Sequence, residues 1–258
     1  MLSEILGRFD TFSFVLIRVA SILFAAPFFG SSSVPARVRL GMAVIVSVII
    51  APVVGTAVHM PDNAAAVAVS VFREGAIGAG IGLAARLVFS AVELAGELAG
   101  VQMGYAVATV IDPQTQNQLS IVAQFYNLMA MLLFFSMNVH LVFIAAIKRS
   151  FELIPPYGFI VAGGVTEGLL DMGGDMFRIG VKVAAPLIVA LLLTNIAMGI
   201  LARTLPQFNV FAVGFPVTIA VGLIVMAFSM PFMLSVVGRV YVEFSHNIMG
   251  LLSAGAAR

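Results

Sequence analysis

Charge is scarce in this sequence, so the residues able to do chemistry are few. Arg18, Arg86, Glu93 and Glu97 stand inside long apolar segments. Glu93 and Glu97 are one helical turn apart, which puts both carboxylates on one helix face. Such a pair could carry a proton path, but a third relay group is lacking, so a salt bridge to Arg18 or Arg86 is the favoured reading. Facing lipid, each of these charges would cost about 2.5–3.5 kcal/mol on the insertion scale. All four are therefore expected to be buried charges facing protein or water. Arg18 in particular is expected to meet Glu93, Glu97 or an acidic group of a neighbouring subunit.

Other reactive constellations are missing. His59, His140 and His246 are far apart. There is no His-Glu-x-x-His zinc pattern, no Gly-x-Ser-x-Gly elbow and no phosphate loop ending in Gly-Lys-Ser or Gly-Lys-Thr. Gly75, Gly78, Gly80 and Gly82 do not make a dinucleotide fingerprint, because Leu83 stands where its last glycine would fall. With no cysteine there is no disulfide framework and no thiolate metal site. The expectation is a protein that is not an enzyme and takes no cofactor or metal. A net charge of +1 gives no electrostatic case for nucleic acid.

The elements that carry these residues are membrane helices. The chain of 258 residues is 61% hydrophobic and 10% charged, where a soluble domain carries roughly 25% charge. A span needs about 20 mostly apolar residues. Six segments qualify: 12–29, interrupted by Arg18; 40–58; 64–111, broken by Arg73, Glu74, Arg86, Glu93 and Glu97; 121–147; 183–202; and 204–238. The expected fold is all-α: a polytopic membrane protein forming a single domain over residues 1–258, with a polar connecting region at 148–182. Phe215-Pro216 and Met230-Pro231 predict bent or broken helices. Glu4, Arg8 and Asp10 give the start of the chain a mixed charge unlike a cleaved signal, so the first helix is read as retained. Arg8, Lys148, Arg149, Arg178, Lys182, Arg239 and Arg258 outnumber Arg37, Arg39 and Arg203 on the opposite side, which places both termini in the cytoplasm.

Two further features bear on function. Gly96, Gly100 and Gly104 repeat every four residues beside Ala91, Ala95 and Ala99. A second helix can approach such a face closely, either within this chain or from another subunit. The stretch around Asp112-Pro113 is rich in amides and lies between long apolar helices. It reads as a polar turn or as a constriction in a pore.

Several strings together resemble one family. Gly96-Glu97-Leu98-Ala99-Gly100-Val101-Gln102-Met103-Gly104 is followed by Asp112-Pro113, Leu132-Leu133-Phe134-Phe135, Asn138, His140-Leu141 and Ala185-Pro186. Then come Leu191-Leu192-Leu193-Thr194-Asn195, Gly199, the run Arg203-Thr204-Leu205-Pro206-Gln207-Phe208-Asn209-Val210-Phe211, and Gly214-Phe215-Pro216. From about residue 12 onward this resembles the FliR/SctT family of type III secretion export-gate subunits. The Pro-Gln-x-Asn-Val-Phe and Gly-Phe-Pro strings read closer to the flagellar branch than to the virulence branch.

The resemblance implies kinked helical hairpins in a non-enzymatic subunit of the flagellar basal body, multi-pass in the bacterial inner membrane. It implies FliP-type and FliQ-type partners in a hetero-oligomeric pore, with FlhB and FlhA nearby and unfolded proteins as cargo. By the same resemblance the pore plug maps to residues 105–120, including Tyr105, Val107, Val110, Ile111, Asp112, Pro113, Gln114, Gln116, Asn117 and Ser120. The rival class is a stand-alone transporter with a substrate site built from broken helices.

Overall fold

The computed structural model describes residues 2–27, 34–54, 63–104, 120–154, 163–204 and 210–255. They form α1 (Leu2–Ala25), α2 (Ala36–Val54), α3 (Ala64–Gln102), α4 (Ile121–Ser136), α5 (Val139–Leu153), α6 (Gly163–Thr204) and α7 (Val210–Gly255). No strand occurs among the described residues. Helices α2, α3, α6 and α7 are long and apolar enough to cross a membrane, with mean hydropathies of 1.7 to 2.3. Together α4 and α5 supply a fifth span if the broken pair is counted as one. The protein is thus an all-α polytopic membrane protein.

The uncharged run 121–147 is divided in two at Met137-Asn138. Asn138 takes the left-handed conformation, φ 56°, which asparagine tolerates better than most residues. Of the bend or break expected at each proline of α7, a break does not occur: the helix runs through Pro216 and Pro231. A break in apolar surroundings would strand further carbonyls, whereas each proline removes a single helix N–H. The Thr218 hydroxyl donates to the Gly214 and Phe215 carbonyls, both at 3.0 Å, and Ser229 donates to Met226 at 3.2 Å. Most of the polar region 148–182 is also helical, because α6 begins at Gly163. Glu167, Asp171, Arg178 and Lys182 are exposed along it, a solvated face at helical spacing.

The chain separates into two compact units. One comprises residues 1–87, 138–173 and 242–258, the other residues 88–137 and 174–241. In the first unit α1 packs against α2 and against the N-terminal part of α3. Its core includes Phe14, Val19, Ile22, Ile77, Ile81, Phe143 and Ile147, all buried. Glycine sets the spacing between α1 and α3. A β-carbon at Gly78 would lie 2.5 Å from the Arg18 carbonyl oxygen and 2.7 Å from the Ser21 β-carbon. One at Gly82 would overlap Ala25. At Gly80, by contrast, no atom lies within 4 Å.

The second unit joins the C-terminal part of α3 to α4, α6 and α7. Ala99, Met103, Val122, Leu187 and Leu191 form a buried cluster. Phe89, Phe134 and Tyr241 meet with ring centroids 5.6 to 5.9 Å apart. The Tyr241 hydroxyl donates to the Ala130 carbonyl at 2.8 Å, so the one polar atom of this aromatic group is satisfied.

The α1–α3 contact makes a paired prediction. Gly78→Ala should destabilise the chain by about 1–3 kcal/mol through overpacking. Gly80→Ala should be neutral or stabilising, since alanine favours a helix over glycine by about 0.8–1.0 kcal/mol. Thermal unfolding of the two variants in detergent checks this, and equal melting temperatures would contradict it.

Candidate functional site

Two sites stand out, one in each unit. The first is built on Arg18, whose side chain is 0% exposed. An arginine brings five N–H donors into an apolar interior, and each needs an acceptor. Nε donates to Glu74 Oε2 at 2.6 Å and Nη2 to Glu74 Oε1 at 3.1 Å, a bidentate pair. Nη1 donates to the Ser150 carbonyl at 2.9 Å and to the Ser150 hydroxyl at 3.4 Å. Nη2 also donates to the Ile154 carbonyl at 3.0 Å. Those two carbonyls are at the C-terminal end of α5, at the negative end of the helix dipole, and that of Ser150 also accepts from the Ile154 N–H at 3.0 Å. The Phe151 ring lies 4.1 Å from Arg18 Cζ. One guanidinium thus joins α1, α3 and the end of α5.

This corrects the expected partner. Arg18 meets Glu74, not Glu93 or Glu97. Glu93 is 19 positions beyond Glu74, roughly 28 Å along the helix at 1.5 Å per residue. Glu93 and Glu97 are half-buried in the second unit. Arg86 is exposed, not buried, because α3 turns its other side, with Gly78, Gly82 and Ala85, into the core. Glu74 and Ser150 were not singled out from sequence. A signal for Glu74 existed: Glu74, Gly78 and Gly82 repeat every four residues and so share one helix face.

The second site lies around the C-terminal end of α3. Gly96 and Gly100 are filled from within the chain. A β-carbon at Gly96 would overlap the Ala123 backbone, and one at Gly100 would lie 2.6 Å from the Ser120 hydroxyl. Ser120 caps α4, its hydroxyl accepting from the Ala123 N–H at 3.1 Å. The same hydroxyl donates to the Gly96 carbonyl at 3.4 Å. The Ser120 N–H donates to Glu97 Oε1 at 2.8 Å, so Glu97 anchors the start of α4. Gly104 has φ +89° and packs on the Phe215 ring.

Beside Gly104 a cleft of about 300 Å³ opens. It gathers Gln102, Asn195, Gly199, Gly214 and Phe215 from α3, α6 and α7. Residues far apart in the family-like strings therefore meet at one place. Met103 is fully buried against Gly222. Arg203 and Pro216 are exposed, and Phe211 lies in the first turn of α7. Pro206, Gln207 and Asn209 lie outside the described residues, as do Tyr105, Val107, Val110, Ile111, Asp112, Pro113, Gln114, Gln116 and Asn117.

Residues 9–244 match the family described as bacterial export proteins, family 1. The chain belongs to this family. Its relatives include the flagellar biosynthetic protein FliR of Escherichia coli (strain K12), 33% identical over 92% of this chain and 91% of that protein. The FliR of Bacillus subtilis (strain 168) is 32% identical over 97% of this chain and 99% of that protein. That of Aquifex aeolicus (strain VF5) is 30% identical over 88% of each. For this bacterial export protein the match spans both units, so the Arg18 node and the α3 cleft both fall inside the shared region.

The Arg18 node predicts an asymmetry. Arg18→Met should strand the Glu74 carboxylate and destabilise the chain by about 3–5 kcal/mol, whereas Arg18→Met with Glu74→Leu should recover a large part of that loss. Protease resistance of the purified chain in detergent measures both. A single variant as resistant as the parent would show that the pair does not hold α1 to α3.

Proposed function

We propose that this chain is a non-enzymatic core subunit of the flagellar type III protein export gate, helping to form and close the pore through which unfolded flagellar proteins leave the cell. The observation that carries this reading is the match, over 92% and 97% of the chain, to proteins named flagellar biosynthetic protein FliR. The protein is a multi-pass component of the bacterial inner membrane and belongs with the flagellar export apparatus. The finer reading names its partners: FliP-type and FliQ-type subunits in a hetero-oligomer, with FlhB and FlhA.

A proposed role for residues 105–119 follows from what holds the positions on either side. Gly104 ends α3, with its N–H donating to the Val101 carbonyl at 3.0 Å. Ser120 returns to the same helix, against Gly100 and Glu97. A pore wide enough for an unfolded chain would leak ions, so a resting gate needs an obstruction. This segment supplies it, mounted on the glycine-lined end of α3.

Shortening 105–119 should therefore raise the uptake of a small membrane-impermeant dye several-fold in cells expressing the complete gate. Blue-native gels would verify that the assembly is intact. A fully assembled variant with a membrane as tight as that of the unmodified control would remove this segment as the principal barrier.

A further inference from the structure

The cleft beside Gly104 holds two side-chain amides that no other described residue satisfies. Asn195 of α6 is followed at three and four residues by Met198 and Gly199. Thr218 of α7 is preceded at three and four residues by Phe215 and Gly214. Each helix thus presents one face, and Gln102, the last residue of α3, completes the lining. The Thr218 hydroxyl is committed to its own helix, donating to the Gly214 and Phe215 carbonyls. The Gln102 and Asn195 side chains make no hydrogen bond among the described residues, and both residues are exposed. A carboxamide offers two N–H donors and an oxygen acceptor, the complement of a peptide group. No charged side chain lines the cleft among the described residues, so an ion would find no counter-charge there.

Gly199 adds a second observation. A glycine inside a helix costs stability relative to alanine, and its use is to let another backbone or a ligand come close. Gly96 and Gly100 are used in this way by Ala123 and Ser120. At Gly199 no described atom lies within 4 Å of where a β-carbon would stand, and at Gly214 the nearest is the Met198 methyl at 3.9 Å. The space these two glycines leave in the cleft is therefore not taken up by the described chain. Met198 and Phe215 supply its apolar wall. Methionine is unbranched and polarisable, and it packs against surfaces of many shapes.

We propose that this cleft holds a short stretch of the exported polypeptide by its main chain, with the Gln102 and Asn195 carboxamides bonding to its peptide groups and Gly199 letting it come close. The chemistry selects this occupant. Cargo proteins of different sequence have one thing in common, a peptide backbone whose N–H and C=O groups need partners once taken from water. A site with free amides, no charge and an adaptable apolar wall accepts such a chain whatever its side chains. The inference deepens the reading of this protein as an export-gate subunit and rests on it.

The test uses the complete gate in cells, with a benzophenone amino acid in place of Phe215, whose ring it resembles. Two cargo proteins of unrelated sequence are each fused to a stably folded domain that arrests them in the pore. Irradiation should cross-link both to this chain. Gln102→Met with Asn195→Leu keeps side chains of similar size and removes both amides. It should lower the cross-link yield and the rate of export several-fold, with the gate assembled in normal amount on blue-native gels. Gly199→Leu fills the cleft with a residue that favours a helix over glycine. It should lower both readings at least as much, with assembly again unchanged.

Full export by the double variant would overturn the proposal, as would a cross-link to only one of the two cargo proteins. With cargo arrested, a cross-link from position 215 to residues 105–119 or to another subunit would do the same. A Gly199→Leu chain that accumulates normally when expressed alone but fails to assemble would assign the space to another subunit and not to cargo. Benzophenone scanned along the rest of the chain separates the two levels of the reading. Cargo captured elsewhere on this chain but not at position 215 would reject the cleft alone, whereas an assembled gate in which no position of this chain ever captures cargo would reject the proposed function as well.

Discussion

Arg18 must be satisfied before the first unit can exist in this form. It is the largest of the fully buried side chains among the described residues. Burying a charge without partners is prohibitive, and a buried pair breaks even only when its remaining donors are also bonded. All five of its N–H groups find acceptors, on Glu74, Ser150 and Ile154. Those acceptors are spread over α3 and the end of α5, so register errors of a single residue would strand at least one donor. Ser150 is held for the task, its own hydroxyl donating to the Ile147 carbonyl at 2.7 Å. The node therefore acts less as a source of net stability than as a constraint on which packing is allowed.

Close backbone contact completes what the charge begins. Between helices in a membrane the hydrophobic effect gives little drive, so association depends on tight packing and hydrogen bonds. Gly78 and Gly82 let α3 approach α1 until the Arg18 carbonyl and Ala25 occupy the space of missing side chains. The same device recurs further along α3, where Gly96 and Gly100 receive Ala123 and Ser120. In both places a hydrogen-bonding group sits beside the glycines: Glu74 in one and Glu97 in the other. Carboxylate and glycine together set depth and register at each contact.

Much of this was legible in the sequence, for physical reasons that differ from place to place. Apolar segments long enough to span declare themselves by composition, and residues 40–54 of α2 are read because no charge interrupts them, whereas its first turn, with Arg37 and Arg39, is not. The break at Asn138 was hidden, since residues 121–147 carry no charge and a left-handed backbone at one residue divides them. The prolines of α7 signalled a bend or a break, and no break follows, because a helix in apolar surroundings has more to lose by breaking than by leaving one bond unmade. Among the charges, the need of Arg18 for a partner followed from desolvation alone. Its identity did not, because the choice among Glu74, Glu93 and Glu97 depends on which side of α3 meets α1. The glycines hold that information, at Gly78 and Gly82, and the ladder that drew notice was the later one. Residues of the cleft beside Gly104 were recognisable only as strings, and their convergence is a tertiary property.

The placement of Glu97 bears on how a barrier could move without disturbing its mounting. Ser120 is pinned to α3 through its N–H, its hydroxyl and its contact with Gly100. Gly104 is one helical turn beyond Gly100 and is itself packed on Phe215. Both flanks of residues 105–119 are therefore fastened to one rigid stretch of helix, backed by the buried cluster of Met103, Leu187 and Leu191. For a segment whose ends are already held together, changing conformation costs no further loop closure. Nor does it pull on the helices that carry it, because no net displacement of its ends is required. A gate subunit has to let a barrier yield to cargo and return while the surrounding assembly keeps its seal. On the proposed reading of residues 105–119 as that barrier, flanks held beside the end of α3 by Gly100, Ser120 and Glu97 would meet that demand.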